Sequence, residues 1–270
     1  MTKKKKKVSK KKQSFGKKKK LVKKMKKAPV GKVVKKSGNK SLERVTTGIP
    51  NFDGLIQGGF EKDSTNMVVG SSGIGKTIFA TQFLIDGIKK GEKCLYVTFE
   101  EKKERFYSNM LKFGWNLEEC EKKGLFTFLE YTPIKVKAML EEGGGTIESI
   151  ILKKKISRIV IDSITSFELL FEDELAKREA ALALFGLIRD WEATALVTLE
   201  ESVDEGNLHS RALEFEVDSI ILLYFVKAKG ARQRRFEIVK MRGTKHSSKI
   251  YIFEIENEGI NINKKFVSSK

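Results

Sequence analysis

The sequence predicts an α/β protein with a mainly parallel central sheet flanked by helices, and with antiparallel strands added at the C-terminal edge. Three observations predict it. Between residues 65 and 201, short β-rich apolar runs alternate with stretches of helical periodicity, the pattern of βαβ units. A glycine-rich turn joins the first clear strand to the first clear helix. From residue 219 onward strand follows strand with no helix between them, which suits antiparallel additions at one edge.

Charge divides the chain into two regions. Residues 1–40 contain 20 Lys and no Asp or Glu, and Phe15 is their only aromatic. Such a stretch cannot bury a core and reads as a disordered tail. The whole chain carries +19, so residues 41–270 net to −1 once the tail lysines are set aside. The basic balance therefore belongs to the tail, and 41–270 reads as a single domain. Two cysteines, Cys94 and Cys120, are too few for a disulfide framework or a metal cluster and read as reduced thiols. The basic N-terminus is followed by no apolar segment of the signal-peptide kind. The longest apolar run, Ile220 to Val226, is too short to span a bilayer. A soluble, cytoplasmic protein is expected.

The elements follow in order. "TTGIPNFDGLIQGGF" (46–60) is turn-rich, with Pro50 and four glycines. "TNMVVG" (65–70) is a strand. In "KTIFATQFLIDGIKKG" (76–91), Ile78, Phe79, Phe83, Leu84 and Ile88 recur at helical spacing, and the lysines before Gly91 suit a C-terminus. "KCLYVTFEE" (93–101) is a strand that ends in two carboxylates, followed by a polar helix over about 102–113. "GLFTFLEY" (124–131) is a strand, "TIESIILKKK" (146–155) a short helix and "SRIVIDS" (157–163) a buried strand. The Ala- and Leu-rich stretch 173–193 is the longest helix. Strands are then expected at 194–201, 219–225, 234–242 and 249–256.

"GSSGIGKT" (70–77) matches G-x-x-x-x-G-K-[ST] at every fixed position and sits between a strand and a helix, where its mechanism needs it. Gly70, Ser71, Ser72, Gly73, Ile74 and Gly75 form a loop whose backbone N–H groups cradle phosphates. Lys76 reaches the β/γ oxygens, and the hydroxyl of Thr77 ligates Mg²⁺. A phosphate loop needs an acidic partner for the metal. Asp162, at the carboxyl end of the "RIVID" strand, is the candidate, since that end of a parallel sheet faces the ligand crevice. Glu100 and Glu101 close "YVTFEE", expected beside the phosphate-loop strand. Either carboxylate could orient and deprotonate water opposite a γ-phosphate, Glu100 ahead of Glu101. An acidic pair at a helix N-terminus is also favoured by the helix dipole alone.

With these residues in hand, the chain resembles the KaiC-like branch of the RecA-type ATPases over about 42–263. "RVTTGIPNFDGLIQGGF", "GSSGIGKTIFATQFL", "LYVTFEE", "VIDSIT", "VTLEE" and "KMRGTKH" follow in that branch's order, and "NEGINI" near the end is also similar. The resemblance implies a RecA-like fold, ATP and Mg²⁺ as cofactors, and ATP-dependent assembly into rings, often hexamers. It places the nucleotide on Gly70 to Thr77 and the metal on Thr77 and Asp162. Glu100 would be the general base, with Thr165 and Glu200 lining the sheet crest. The clock proteins of that branch carry two such domains, and this chain contains one set of the motifs. The Lys-rich tail matches no pattern of the family.

"KMRGTKH" (240–246) has two readings. Lys240 and Arg242 alternate by two and face one side of a strand, and Gly243 allows a turn that returns Thr244 and His246. Charges of this kind protect an edge strand. In the resembling family the segment instead crosses a subunit interface: Lys240, Met241 and Arg242, with Thr244 and His246, meet a nucleotide held by the neighbour, an arginine supplied in trans. The tail is a polycation that binds nucleic acid with little sequence preference and high salt sensitivity, or binds anionic membrane lipid. No DNA-binding loop motif stands out in 41–270. The sequence thus points to a ring-forming Mg-ATPase that switches an assembly or signal. The alternatives are a non-hydrolytic ATP-binding scaffold tethered to nucleic acid or membrane by its tail, or a RecA/RadA-type DNA repair ATPase.

Overall fold

The structure is a computed structural model that describes residues 43–132, 135, 138, 145–168, 171, 173–202, 215–228 and 230–267. The tail reading over 1–40 lies outside the described residues. Two short strands open the chain, β1 (Arg44–Val45) and β2 (Phe60–Glu61), paired antiparallel. Then come β3 (Thr65–Gly70), α1 (Lys76–Lys89), β4 (Cys94–Thr98), α2 (Lys103–Leu111), α3 (Leu117–Lys122), β5 (Phe126–Glu130) and α4 (Gly145–Lys154). They are followed by β6 (Arg158–Asp162), α5 (Ile164–Glu168), α6 (Glu174–Asp190) and β7 (Thr194–Glu200). The chain continues with β8 (Ser219–Ala228), β9 (Ala231–Met241), β10 (Tyr251–Glu256) and β11 (Gly259–Phe266).

Nine strands form one sheet in the order β11-β10-β9-β8-β3-β7-β6-β4-β5. From β8 to β5 every neighbouring pair is parallel, and from β8 to β11 every pair is antiparallel. The predicted α/β class and antiparallel edge are both present. β8 itself joins β3 in parallel, so the antiparallel part begins one strand later than the strand run suggested. Its residues Ile220–Tyr224 are all buried, as in a strand covered on both faces. The helices α3 and α5 and the strand β11 have no counterpart in the sequence reading. The two helices have six and five residues, too few to show a periodicity.

Side chains of the central strands alternate between two apolar layers. In β3, Met67 and Val69 join the layer under α4 and α6, while Val68 joins the layer under α1 and α2. Phe52, from the turn-rich segment before β2, packs its ring edge against Phe79 of α1, centroids 5.4 Å apart, and lies 5.8 Å from Phe236 of β9. Asp53 accepts hydrogen bonds from the backbone and hydroxyl of Thr47 at 3.0 and 2.8 Å. This segment is therefore a fixed cover over α1. Cys94 and Cys120 form no disulfide. No helix among the described residues is long and apolar enough to cross a membrane.

The largest fully buried side chain is Arg158, at the first position of β6 and 1% exposed. It donates from Nε and NH2 to the Glu92 carboxylate at 2.8 and 2.6 Å, and from NH1 to Thr46 O and Phe83 O, both at 2.8 Å. Asp86 lies 3.1 Å from NH1, and the guanidinium rests 4.9 Å from the Phe83 ring centroid. A Cβ at Gly87 would stand 2.5 Å from Arg158 Nε, so only glycine leaves room on α1. The hydrogen bonds from Arg158 hold the Glu92 carboxyl below its ordinary value of 4.5. A carboxyl depressed in this way stabilises the fold fully above that value and loses its contribution as pH falls through the folded pKa. Arg158→Ala would leave Asp86 and Glu92 without their buried cation, a loss of about 3–5 kcal/mol. The melting temperature is expected to fall by roughly 10 °C at neutral pH, and by progressively less as pH drops below the folded pKa of Glu92. Thermal melts across pH check this.

Candidate nucleotide site

The carboxyl ends of the parallel strands meet on one side of the sheet. Gly70 pairs with Glu200, and Thr98 pairs with Asp162, at matching register. The loop 71–75 turns off β3 there and delivers the chain into α1. Gly75, just before the helix, has φ +121°, a conformation that L side chains rarely adopt. The first turn of α1 carries no acidic residue, so its free N–H groups face an anion without competition.

Around this loop lies a cavity of about 340 Å³, lined by Gly73, Lys76, Thr77, Glu100, Asp162 and Glu200 among others. Lys76 is 8% exposed and donates to Gly70 O at 2.8 Å and Ser71 O at 3.0 Å, with Glu200 at 3.7 Å. Burial lowers its pKa, against the opposing pull of Glu200, Asp162 and Glu100. Asp162 gathers three elements besides its own. Thr77 of α1 and Tyr96 of β4 donate to its Oδ2 at 2.7 and 2.6 Å, and Thr198 of β7 donates to its Oδ1.

The paired glutamates are also anchored. Thr98 Oγ1 accepts the backbone N–H of both Glu100 and Glu101, at 3.3 and 3.2 Å. Glu100 accepts from Ser163, at 3.4 Å, and from Ser166. Glu101 is held by Asn109 of α2 at 3.3 Å, and burial raises its carboxyl pKa. The expectation that their strand lies beside β3 is corrected: β7 and β6 stand between β4 and β3. The glutamates still reach the cavity because the loop after β4 bends back over the crest. Thr165 Oγ1 accepts from the Glu200 N–H at 2.7 Å and braces the end of β7.

The "KMRGTKH" residues lie elsewhere. Lys240 and Met241 pair with Ile220 and Ser219, whose β3 neighbours are Met67 and Asn66. That is the sheet end away from the loop, which departs beside Leu223. At about 3.3 Å per residue, roughly 10 Å of strand separates Lys240 from that level. Lys240 donates to Val217 O at 2.7 Å and Arg242 to Phe215 O at 2.6 Å, so both face the segment before β8. Gly243 has φ +62° and makes the expected turn. Thr244 then accepts from Arg44 at 2.7 Å, and His246 Nδ1 lies 3.1 Å from Ser247 O.

Sequence reading missed Tyr96, Thr98, Thr198, Ser163 and Ser166. A signal existed for two of them, since "VTFEE" and "VTLEE" place a threonine alike before each glutamate pair. Tyr96 had none, because its partner is 66 residues away.

The family profile described as ATPase: KaiC matches residues 45–266. The chain belongs to the KaiC ATPase family. A circadian clock oscillator protein KaiC of Nostoc is 33% identical over 238 residues, which cover 84% of this chain and 45% of that protein. The chain thus spans about half the length of such curated relatives. A UPF0273 protein of Thermotoga maritima is 32% identical over 232 residues, covering 81% of this chain and 95% of the relative. The crystal structure of a KaiC-like protein from Pyrococcus horikoshii superposes with a TM-score of 0.74 at 35% identity, covering 82% of this chain and 99% of that one.

Membership in a KaiC ATPase family, with this RecA-like fold, makes ATP the nucleotide to test. Lys76→Ala should abolish measurable ATP binding in titration calorimetry, because it removes the cation aimed at the phosphates. The melting temperature should hold or rise, because the same change also removes a buried ammonium and its desolvation cost.

Proposed function

We propose that this KaiC-family chain binds and hydrolyses Mg-ATP, and does so in a ring whose neighbouring subunits share each site. The observation that carries hydrolysis is the convergence of Lys76, Thr77, Asp162, Glu100 and Glu101 on one cavity. The loop from Gly70 to Thr77 holds the phosphates through backbone N–H groups, and Lys76 neutralises the β/γ oxygens. Thr77 Oγ and the Asp162 carboxylate touch at 2.7 Å, a pair of hard oxygen donors suited to Mg²⁺, which keeps most of its water and binds through one or two protein oxygens plus phosphate. When bound, the ion would neutralise phosphate charge. Tyr96 and Thr198 keep the carboxylate aimed. Glu100 takes a proton from water at the γ-phosphate, with Glu101, whose pKa is raised by burial, as the rival base.

Sharing between subunits is supported by register. "KMRGTKH" sits at the sheet end opposite the chain's own phosphate loop, too far for Lys240 or Arg242 to complete that site. Beside Arg242, Phe215 is 69% exposed, an apolar surface of the kind a neighbour covers. In this reading Lys240, Met241, Arg242, Thr244 and His246 serve the nucleotide of the next copy, and a hexameric ring is the expected assembly. The domain comprises residues 41–270, with 1–40 as a polybasic tail that contacts nucleic acid or anionic membrane.

Glu100→Gln should keep ATP affinity and lower phosphate release by about 10²-fold or more. A larger loss in Glu101→Gln would reverse the assignment between the two, and normal turnover in both would favour a scaffold whose ATP is structural.

The shared site has its own test. Arg242→Ala and Glu100→Gln should each be nearly inactive alone. In a mixed ring, some interfaces combine an intact Glu100 from one variant with an intact Arg242 from the other, so activity should partly return. Subunit exchange shown by mass, without recovered hydrolysis, would place Arg242 outside a neighbour's site.

A further inference from the structure

The arm formed by β8 and β9 carries a charge pattern that the nucleotide site does not use. β3 pairs with β8 only as far as Leu223, and β10 pairs with β9 only at Arg235 and Phe236. Beyond those points the pairs Phe225–Arg234, Val226–Gln233, Lys227–Arg232 and Ala228–Ala231 form a two-stranded ribbon with no further strand on either edge among the described residues. Its length is about 14 Å at 3.4 Å per residue. Residues 226–236 contain five cations and no carboxylate. Among the described residues none of Lys227, Arg232, Arg234 and Arg235 forms an ion pair, and the Nε of Arg234 is buried without a hydrogen-bond acceptor.

The ribbon holds these charges together instead of separating them. Lys227 and Arg232 are direct cross-strand partners, an arrangement of like charges that costs stability. The guanidiniums of Arg232 and Arg234 both stand 5.3 Å from the ring centroid of Phe225, so the ring draws both toward one face of the ribbon. Arg232 and Arg234 are two apart on one strand, hence on one face at a spacing of about 6.8 Å. Pre-positioned, unpaired guanidiniums of this kind fit a repeating phosphate chain, since each contact relieves the mutual repulsion and releases counterions. A small anion would engage one of them. The tip, Ala228 to Ala231, offers no large apolar group to enter a bilayer.

We propose that the β8–β9 arm is a nucleic-acid-backbone binding surface of the folded domain, acting together with the Lys-rich tail on one strand or duplex. This inference stands apart from hydrolysis: none of its residues lines the phosphate cavity.

The test uses the full chain and a fluorescent 30-base-pair DNA duplex titrated at several salt concentrations. Each lost phosphate contact reduces the slope of log affinity against log salt by about 0.9. Arg232→Ala with Arg234→Ala should reduce it by about 2 and weaken binding at least tenfold at 0.15 M salt, with ATP binding unchanged. Arg232→Lys with Arg234→Lys should restore most of the slope. Equal slopes and affinities in wild type and the alanine variant would overturn the proposal and leave DNA to the tail alone. Polyglutamate of matched charge should bind more weakly than DNA. Equal binding, lost equally in the alanine variant, would make the arm a site for acidic protein and also overturn the proposal. If the double alanine variant fails to fold, the single exposed change Arg232→Gln should lower the slope by about 1, and an unchanged slope counts against the arm.

Discussion

A buried guanidinium is tolerated only when every donor and its charge are met, and in this fold Arg158 sets that requirement at the base of the sheet. Its partners come from three places: Thr46 before β2, Phe83 and Asp86 on α1, and Glu92 in the loop to β4. Satisfying one side chain therefore fixes the helix, the covering segment and the neighbouring loop to β6. The five residues of β6 carry that constraint to its other end, where Asp162 stands. A misplaced Arg158 would be a misplaced Asp162.

The crest of the sheet uses the same logic with smaller groups. Three hydroxyls, from Thr77, Tyr96 and Thr198, converge on the Asp162 carboxylate, and Thr98 and two serines hold the backbone and side chain of Glu100. Fixed donors of this kind keep the carboxylates aimed. They also explain why a lysine can sit 8% exposed with its pKa lowered: the loop carbonyls and Glu200 hold an ammonium that water no longer solvates.

The two ends of β8 and β9 differ in their surroundings. At the lower end, Lys240 and Arg242 grip the backbone at Val217 and Phe215 and face away from their own phosphate loop. At the upper end the strands outrun β3 and carry arginines that form no ion pair among the described residues, Arg232 exposed and Arg234 partly buried. Register produces both facts, since one antiparallel pair ten residues long must overshoot a six-residue neighbour. The proposed assembly surface and the proposed polyanion surface would thus share one hairpin without sharing side chains.

Much of this was legible in the chain itself. Alternating strand and helix patterns, "GSSGIGKT", Asp162 at the end of an apolar strand and the paired glutamates each rest on local chemistry: turn geometry, side-chain period and the need of phosphate for N–H donors. Strand order did not follow from them, because neighbouring strands in a parallel sheet are set by helix packing across its faces, and so β7 and β6 came between β3 and β4. Nor did Tyr96, Thr198, Ser166 or Arg158, whose partners lie 36 to 112 residues away. The local residue types determined which chemistry the chain is equipped for. Tertiary structure alone decided which donors meet which carboxylate, and which cations remain unpaired, because hydrogen bonds and ion pairs depend on ångström distances that only the packed sheet sets.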